Sequence, residues 1–176
     1  MTSKKVQTLV AAAFFVALDI IVARYLGFEI PFPVFGVIKV DFQLIVAALC
    51  GYALGPLWGC LTLVTSDLLG ALLNSGSIGF FFGFTISAAV RGLLFGLLLH
   101  QKQVSRKRIV FSASLVYLSA DLLLNTLWLS ILTHAPYFPL LGARVAPKLI
   151  WMSVEIGVSF LLIRAFEIFR IRRAAS

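Results

Sequence analysis

The segment 83–100, GFTISAAVRGLLFGLLLH, most constrains how this chain can fold, because it is almost wholly apolar yet carries Arg91 near its midpoint. As a helix rising about 1.5 Å per residue, it is long enough to span a membrane. An arginine at that depth costs about 2.5–3.5 kcal/mol on insertion scales, so it must face other helices, an acidic partner or a wet pocket. Ser87 and Phe84 lie about one and two turns earlier on the same face. The sequence therefore predicts a helix whose polar face points into a bundle.

The composition predicts one integral membrane domain covering residues 1–176. Hydrophobic residues make up 61% of the chain and charged residues 12%, whereas soluble domains have about 25% charged residues. Several apolar runs reach spanning length, which argues against an oily soluble core. Cys50 and Cys60 lie inside apolar runs, so we interpret them as small buried hydrophobes and expect neither a disulfide nor a metal site.

The net charge of +8 does not indicate nucleic-acid binding, because the basic residues flank the apolar runs. This is the pattern that the positive-inside rule describes. The first apolar run exceeds signal-peptide length and lacks a convincing cleavage site, so we expect no removable signal. Nine of the 15 basic residues collect in three groups: Lys4 and Lys5; Lys102, Arg106, Lys107 and Arg108; and Arg170, Arg172 and Arg173.

We predict an all-α bundle of six transmembrane helices with both termini in the cytoplasm, since this topology puts every basic group on one side. The predicted helices are 6–27, a short helix from 42 that Gly55 and Pro56 end, 57–73, 83–100, 109–132 and 143–169. Residues 27–37 form a semi-rigid aromatic loop, read as a lid or as an interface anchor. Residues 75–82 and 133–142 are read as turns.

Polar residues recur on inward faces of these helices. Asp121, Asn125 and Trp128 follow the spacing i, i+4, i+7, and the last helix carries a similar row from Arg144 to Glu155. Such a set suits a ligand with an anionic tail and an aromatic head, although an ion pair of Arg91 with an acid could be purely structural. By depth we expect Arg24, Arg144 and Lys148 shallow; Asp67, Arg91, Asp121 and Glu155 deep; and Ser87, Asn125 and Trp128 between them.

Two alanines, Ala13 and Ala17, form a small-xxx-small pair on the first helix. Small side chains let another helix approach closely. The partner could be another protein or a helix of the same chain.

Four stretches together resemble the folate-specific substrate-binding subunit (S component) of energy-coupling factor transporters: LGPLWGCLTLVTSDLLGALL, GFTISAAVRGLLFGLL, LLLNTLWLSIL and the row from Arg144 to Glu155. The resemblance implies a folate binder of the prokaryotic cytoplasmic membrane, without catalytic activity or a bound cofactor of its own. It also implies docking through Ala13 and Ala17 on a transmembrane coupling subunit, with two further subunits that use ATP. The chain itself has no GxxxxGK[ST] phosphate loop.

Under this resemblance, physical reasoning assigns site roles. Arg144 and Lys148, with Arg24 as a third candidate, would hold the glutamate carboxylates of folate. Asp121 or Asp67 would accept hydrogen bonds from the pterin, beside Asn125 and Ser87, with Trp128 or loop phenylalanines stacking on it. The full set of expected substrate-binding residues is Arg24, Phe32, Asp67, Asn74, Phe84, Ser87, Arg91, Asp121, Asn125, Trp128, Arg144 and Lys148.

Three other readings stay open at this point. An S component for riboflavin, thiamine or pantothenate would share the architecture, but the cationic pair on the last helix favours a ligand with carboxylates. A small membrane enzyme would need a nucleophile–base pair or a metal motif such as HExxH, and the sequence has none. A secondary transporter more often shows inverted repeats, which we do not find.

Overall fold

The computed structural model describes the backbone of residues 3–32, 36–40, 42–73, 80–103 and 105–175. Side chains are described for 5–27, 42–73, 80–103, 105–145 and 147–165. Two of the predicted site residues fall outside these limits: Asn74 entirely, and Phe32 for its side chain. The predicted turn at 75–82 also lies mostly outside.

The chain forms helices joined by short connections and one small hairpin. The elements are α1 (Ser3–Tyr25), β1 (Phe28–Phe32), β2 (Gly36–Val40), α2 (Gln43–Leu54), α3 (Pro56–Leu73), α4 (Phe82–Leu99), α5 (Arg106–Val116), a π-helical segment (Tyr117–Leu124), α6 (Asn125–Thr133) and α7 (Tyr137–Ala175).

Within the described residues, four helices are long and apolar enough to cross a membrane, and five if bent α7 counts as one span. They are α1, α3, α4 and the continuous rod of α5, the π segment and α6. α2 is apolar but has only 12 residues, about 18 Å of helix. The structure thus supports a helical membrane protein, and helix length alone supports four or five of the six predicted spans.

The predicted aromatic loop is an antiparallel hairpin in which Phe28 pairs with Val40 and Phe32 with Gly36. The prediction of an all-α chain was therefore wrong for this segment. Prolines are rarely found in central strands but are tolerated in edge strands. A two-stranded ribbon has only edges, so Pro31 fits within it.

Two further boundaries differ from the prediction. The second part of the segment read as a turn at 133–142 already belongs to α7, which begins at Tyr137. Pro139 is tolerated there because it lies in the first turn, where no intrahelical N–H partner is lost. α7 bends by 48° between Val145 and Pro147, as expected for a proline inside a helix. The predicted fifth helix is interrupted by the π segment.

α2, α3 and α4 pack with their backbones almost in contact. A Cβ atom on Gly92 would lie 2.5 Å from the carbonyl oxygen of Gly59, and one on Gly51 would lie 2.7 Å from the backbone nitrogen of Gly96. Real Cβ atoms do not approach backbone so closely, so these helix pairs depend on glycine at their crossings.

The core lies between α2, α4, α5, the π segment and α7, around Leu44, Phe95, Val116 and Ile163. The outer surface exposes large apolar side chains, including Leu57, Leu72 and Phe138. Such a surface suits lipid rather than water. Cys50 is fully buried as predicted, Cys60 is half-buried, and both are free thiols.

Candidate functional site

The site is at the end of the bundle where α1 ends at Tyr25, which we call the hairpin end. α2 does not reach this end. Its first residue, Gln43, contacts Asp19 on α1 and Arg91 on α4. Asp19 is six residues before Tyr25, so α2 begins about 9 Å below the end of α1. The hairpin lies in the stretch of chain that joins these two helices.

Arg91 is buried, with 6% of its surface exposed, and is held by groups from two other elements. Its Nη1 donates to Oε1 of Gln43 at 2.9 Å and lies 3.8 Å from Oδ1 of Asp121. Asp121 comes from the π segment, and π turns widen a helix locally and often mark functional sites. The structural ion pair considered from the sequence is thus present, with Asp121 as the acid.

Asn125 and Trp128 extend this group towards the hairpin end. Asn125 donates from Nδ2 to Oδ1 of Asp121 at 3.3 Å, and the indole of Trp128 donates to Oγ of Ser87 at 3.1 Å. Ser87 is fully buried. We call Gln43, Ser87, Arg91, Asp121, Asn125 and Trp128 the polar cluster.

An aromatic group lies beside the polar cluster at the start of α4. The ring of Phe81 is 6.0 Å from that of Phe84 and 6.1 Å from that of Trp128. Gly83 allows this arrangement, because a Cβ there would lie 2.5 Å from the indole of Trp128. Phe84 therefore lies where the sequence predicted it, next to the polar face of α4.

Three basic residues, Arg24, Arg144 and Lys148, form a second set that we call the basic rim. Nη1 of Arg144 donates to Oγ1 of Thr126 at 3.3 Å. Nζ of Lys148 lies 5.4 Å from the centre of the Tyr117 ring, whose hydroxyl donates to the Lys148 carbonyl at 2.7 Å. Both residues thus flank the rod that carries Asp121.

Arg24 differs from the other two because it has an acidic neighbour. Its Nη2 lies 4.0 Å from Oδ1 of Asp67, whose other oxygen accepts a hydrogen bond from Thr85 at 2.7 Å. The sequence placed Asp67 deep and Arg24 shallow but did not predict that their side chains meet. Asp67 is six residues before the end of α3, and the Arg24 side chain passes Gly70 on the way to it.

Several buried polar atoms of the site have no hydrogen-bond partner among the described residues: Oδ2 of Asp121, Oδ1 of Asn125 and Nε of Arg144. Buried polar atoms are nearly always satisfied in native proteins. Two acceptors and one donor around a single segment are therefore buried groups that a polar ligand would satisfy.

Sequence reasoning missed three contributors. Gln43 links Arg91 to Asp19, which also accepts from Ser66 at 2.6 Å. The other two are uncharged partners of charged groups, Thr85 and Thr126. Phe42, just before α2, packs against Trp151 of α7 with ring centres 5.1 Å apart and ring planes tilted by 56°. The signal for Gln43 was available, because a glutamine that opens an otherwise apolar helix needs a buried partner.

Glu155, the last residue of the predicted row on α7, is buried with 2% of its surface exposed. Arg144 is also buried, while Lys148 and Trp151 are half-buried. All four members of the row therefore face the bundle.

The predicted docking residues Ala13 and Ala17 are both exposed on α1. Their neighbours Val10 and Phe14 are exposed as well, with 63% and 64% of their surfaces accessible. The small-xxx-small pair is therefore not used to pack α1 against the described part of its own bundle.

Comparison with known proteins defines the class. A family model described as "ECF transporter, substrate-specific component" matches residues 7–169. The chain belongs to this family, the membrane-embedded substrate-specific components of energy-coupling factor transporters.

Two curated relatives narrow the comparison. The chain is 31% identical over 152 residues to the folate transporter FolT of Clostridium novyi, covering 86% of this chain and 85% of the relative. It is 31% identical over 135 residues to the folate transporter FolT of Leuconostoc mesenteroides, covering 72% and 71%.

Solved structures share the fold. A FolT crystallised with folic acid matches with a TM-score of 0.79 at 23% identity, over 89% of this chain and 92% of that one. An S component for biotin matches with a TM-score of 0.64 at 20% identity, over 93% and 94%.

Proposed function

We propose that this protein is the folate-binding S component of an energy-coupling factor importer. We choose folate as the ligand because the chain is 31% identical to a folate transporter across 86% of its length. The unpartnered atoms of Asp121, Asn125 and Arg144 support the position of the ligand.

The polar cluster suits the pterin head group. A pterin presents adjacent N–H donors, for which a carboxylate is the natural acceptor. Oδ2 of Asp121 is a buried acceptor without a partner, whereas both oxygens of Asp67 are already engaged. We therefore favour Asp121 over Asp67 as the pterin acceptor, with Asn125 and Ser87 beside it. Trp128 and Phe84 supply stacking surfaces, and Phe32 stays a candidate from the sequence whose side chain lies outside the described residues.

The basic rim suits the glutamate tail. Neither Arg144 nor Lys148 forms an ion pair with a carboxylate among the described residues, although Arg144 lies within electrostatic range of Asp121. Their charges are therefore open to an anionic ligand. Arg24 already faces Asp67 and would act as a third, weaker contact. Arg91 is proposed to hold Asp121 in place, and Asn74, which lies outside the described residues, stays a candidate from the sequence.

For topology we propose six crossings, with α2 as a short one and the rod of α5, the π segment and α6 as another. Both termini would then lie in the cytoplasm of a prokaryotic cell, and the hairpin end would face outwards. Folate captured there would be released inwards once the protein docks, through Ala13 and Ala17, on the coupling subunit. The energy would come from two ATPase partners, with no cofactor and no catalysis by this chain.

The deciding experiment is ligand identification. Protein purified from cells should retain folate, detected by mass spectrometry after denaturation, and the ligand-free protein should rebind folate in preference to riboflavin, thiamine, pantothenate and biotin. Retention of a different vitamin would assign the protein to that vitamin and leave the family unchanged.

A further inference from the structure

The end of the bundle opposite the hairpin holds a compact basic and aromatic group. The guanidinium carbon of Arg106, at the start of α5, lies 5.3 Å from the centre of the Phe160 ring. The guanidinium carbon of Arg164, one turn further along α7, lies 5.8 Å from the same ring. Two helices thus hold two guanidinium groups against one aromatic side chain, an arrangement that limits the conformations of both arginines.

The frame beneath this group is rigid. Ile109, one turn after Arg106, and Ile163, next to Arg164, are buried with 1% and 0% of their surfaces exposed. Both belong to the same core, against which Phe160 also packs. The core therefore fixes the relative position of the two helices that carry the arginines.

The charge of the group is not neutralised by the described part of the chain. Arg106 and Arg164 are both exposed, and the ion pairs between described side chains involve Arg24 and Arg91 instead. The nearest acid along α7 is Glu167, whose side chain lies outside the described set. The N-terminus of α5, with its positive dipole end, adds to the local positive potential.

Apolar side chains are exposed next to the arginines on the side nearer the middle of the bundle. Val110 is one turn deeper on α5 with 46% of its surface exposed, and Leu161 is one turn deeper on α7 with 67% exposed. The surface thus changes from cationic at the end of the bundle to apolar within one helical turn.

We propose that Arg106, Phe160 and Arg164 form a binding site for the phosphate headgroup of an anionic phospholipid. Arginine forks match phosphate oxygens in pairs, and the adjoining apolar surface fits the acyl chains. A free phosphate would use the arginines but not Val110 or Leu161, so the combination favours a lipid. This inference is independent of which vitamin the protein carries.

The test uses the purified full-length protein in neutral detergent, titrated with phosphatidylglycerol or phosphatidylcholine and followed by native mass spectrometry. The wild-type protein should bind phosphatidylglycerol more tightly than phosphatidylcholine. The double variant Arg106→Gln/Arg164→Gln should bind it about 25-fold more weakly, because each basic side chain near a lipid surface contributes about five-fold. Binding of phosphatidylcholine should not change.

The charge-matched control is Lys102→Gln/Lys107→Gln, which removes two exposed cations from the same end without touching the ring. It should retain the preference for phosphatidylglycerol. Phe160→Leu keeps both charges but loses the ring, and should weaken binding by several-fold while leaving the folded state intact, as judged by the unfolding temperature.

Three results would overturn the proposal. If the two double variants lose phosphatidylglycerol binding equally, the binding reflects general charge attraction and not this site. Displacement of the lipid from wild type by excess inorganic phosphate alone would mean a free-anion site. Unchanged lipid binding in Arg106→Gln/Arg164→Gln, together with lost co-purification with the coupling and ATPase subunits, would mean a protein-docking surface.

Discussion

Arg91 and Asp121 face each other at 3.8 Å across α4 and the π segment, yet only one carboxylate oxygen of Asp121 is engaged. Oδ1 faces Arg91 and accepts from Asn125, whereas Oδ2 is buried and has no partner among the described atoms. The ion pair orients the carboxylate, and the orientation leaves one acceptor for a ligand. A structural role and a binding role for Asp121 are therefore compatible.

Replacing Asp121 by asparagine should weaken folate binding by about 10–150-fold, the range expected when a hydrogen bond to a charged group is lost. Asp67→Asn is the matched control, because both oxygens of Asp67 already have partners. Asp67→Asn should lower the unfolding temperature of the ligand-free protein while changing folate affinity little. Isothermal titration and thermal unfolding of both variants check this; unchanged folate affinity in Asp121→Asn would return Asp121 to a purely structural role.

Lys148→Ala should also reduce folate affinity by about 10–150-fold, because it removes a charged partner of the glutamate tail. Pteroate, which lacks the glutamate, should bind wild type and Lys148→Ala nearly equally. Lys148 also lies over Tyr117, so Lys148→Arg, which keeps the charge and the ring contact, should recover much of the folate affinity. If pteroate binding falls as far as folate binding, Lys148 is structural.

Ala13→Trp should separate binding from transport. Ala13 is exposed and far from the polar cluster along α1, so a bulky side chain there should block a partner helix that needs close approach. We expect near-normal folate affinity in the isolated protein, but loss of co-purification with the coupling subunit and loss of uptake. Phe14→Trp, equally exposed but already aromatic, is the control and should co-purify normally. If Ala13→Trp loses both folate binding and the partner, α1 packs within its own protein through this face.

Gly92→Ala should destabilise the protein by about 1–3 kcal/mol, the usual cost of overpacking, because the new Cβ would meet the Gly59 carbonyl oxygen. Gly157→Ala on α7 is the matched control, since nothing lies within 4 Å of a Cβ there. It should be neutral or stabilising, because alanine is the better helix former. Unfolding temperatures in one detergent compare the two; equal values would show that the close helix approach does not limit stability.

The topology predicts different labelling of the two ends. A cysteine at Lys107 should be shielded from membrane-impermeant thiol reagents in intact cells, and one at Phe138, which is 80% exposed, should react. Cys50 and Cys60 lie within the bundle, so unmodified protein supplies the background. Labelling at Lys107 but not at Phe138 would invert the proposed orientation.

The sequence predicted the long helices well, because a run of apolar residues has few alternatives in lipid. α3 and α4 begin and end within one residue of the predicted bounds, and the break at Gly55 and Pro56 was correct. The inward polar face of α4 also followed from the position of Arg91. The π segment could not be predicted, since its wider turn depends on packing around Asp121 and leaves no mark in the spacing.

The pairing of side chains was less predictable than their location. Helical periodicity shows that Asp67 and Arg24 point inward, but whether they meet depends on how far α1 and α3 are shifted along each other. Gln43 was overlooked because reasoning from charge passes over uncharged residues. Its role became visible only when the short α2 placed it level with Arg91 and Asp19.

The glycine crossings divide the protein into a stiff half and an adjustable half. Where backbones of α2, α3 and α4 touch directly, no side chain lies between them to rotate and absorb a sliding movement. The other half has the π segment and the proline bend of α7, and its described glycines, Gly142 and Gly157, make no such crossing. Arg91 and Ser87 lie on the stiff half, whereas Asp121, Trp128 and Arg144 lie on the adjustable one. A ligand at this site would therefore bind between a close-packed helix pair and a less tightly packed one.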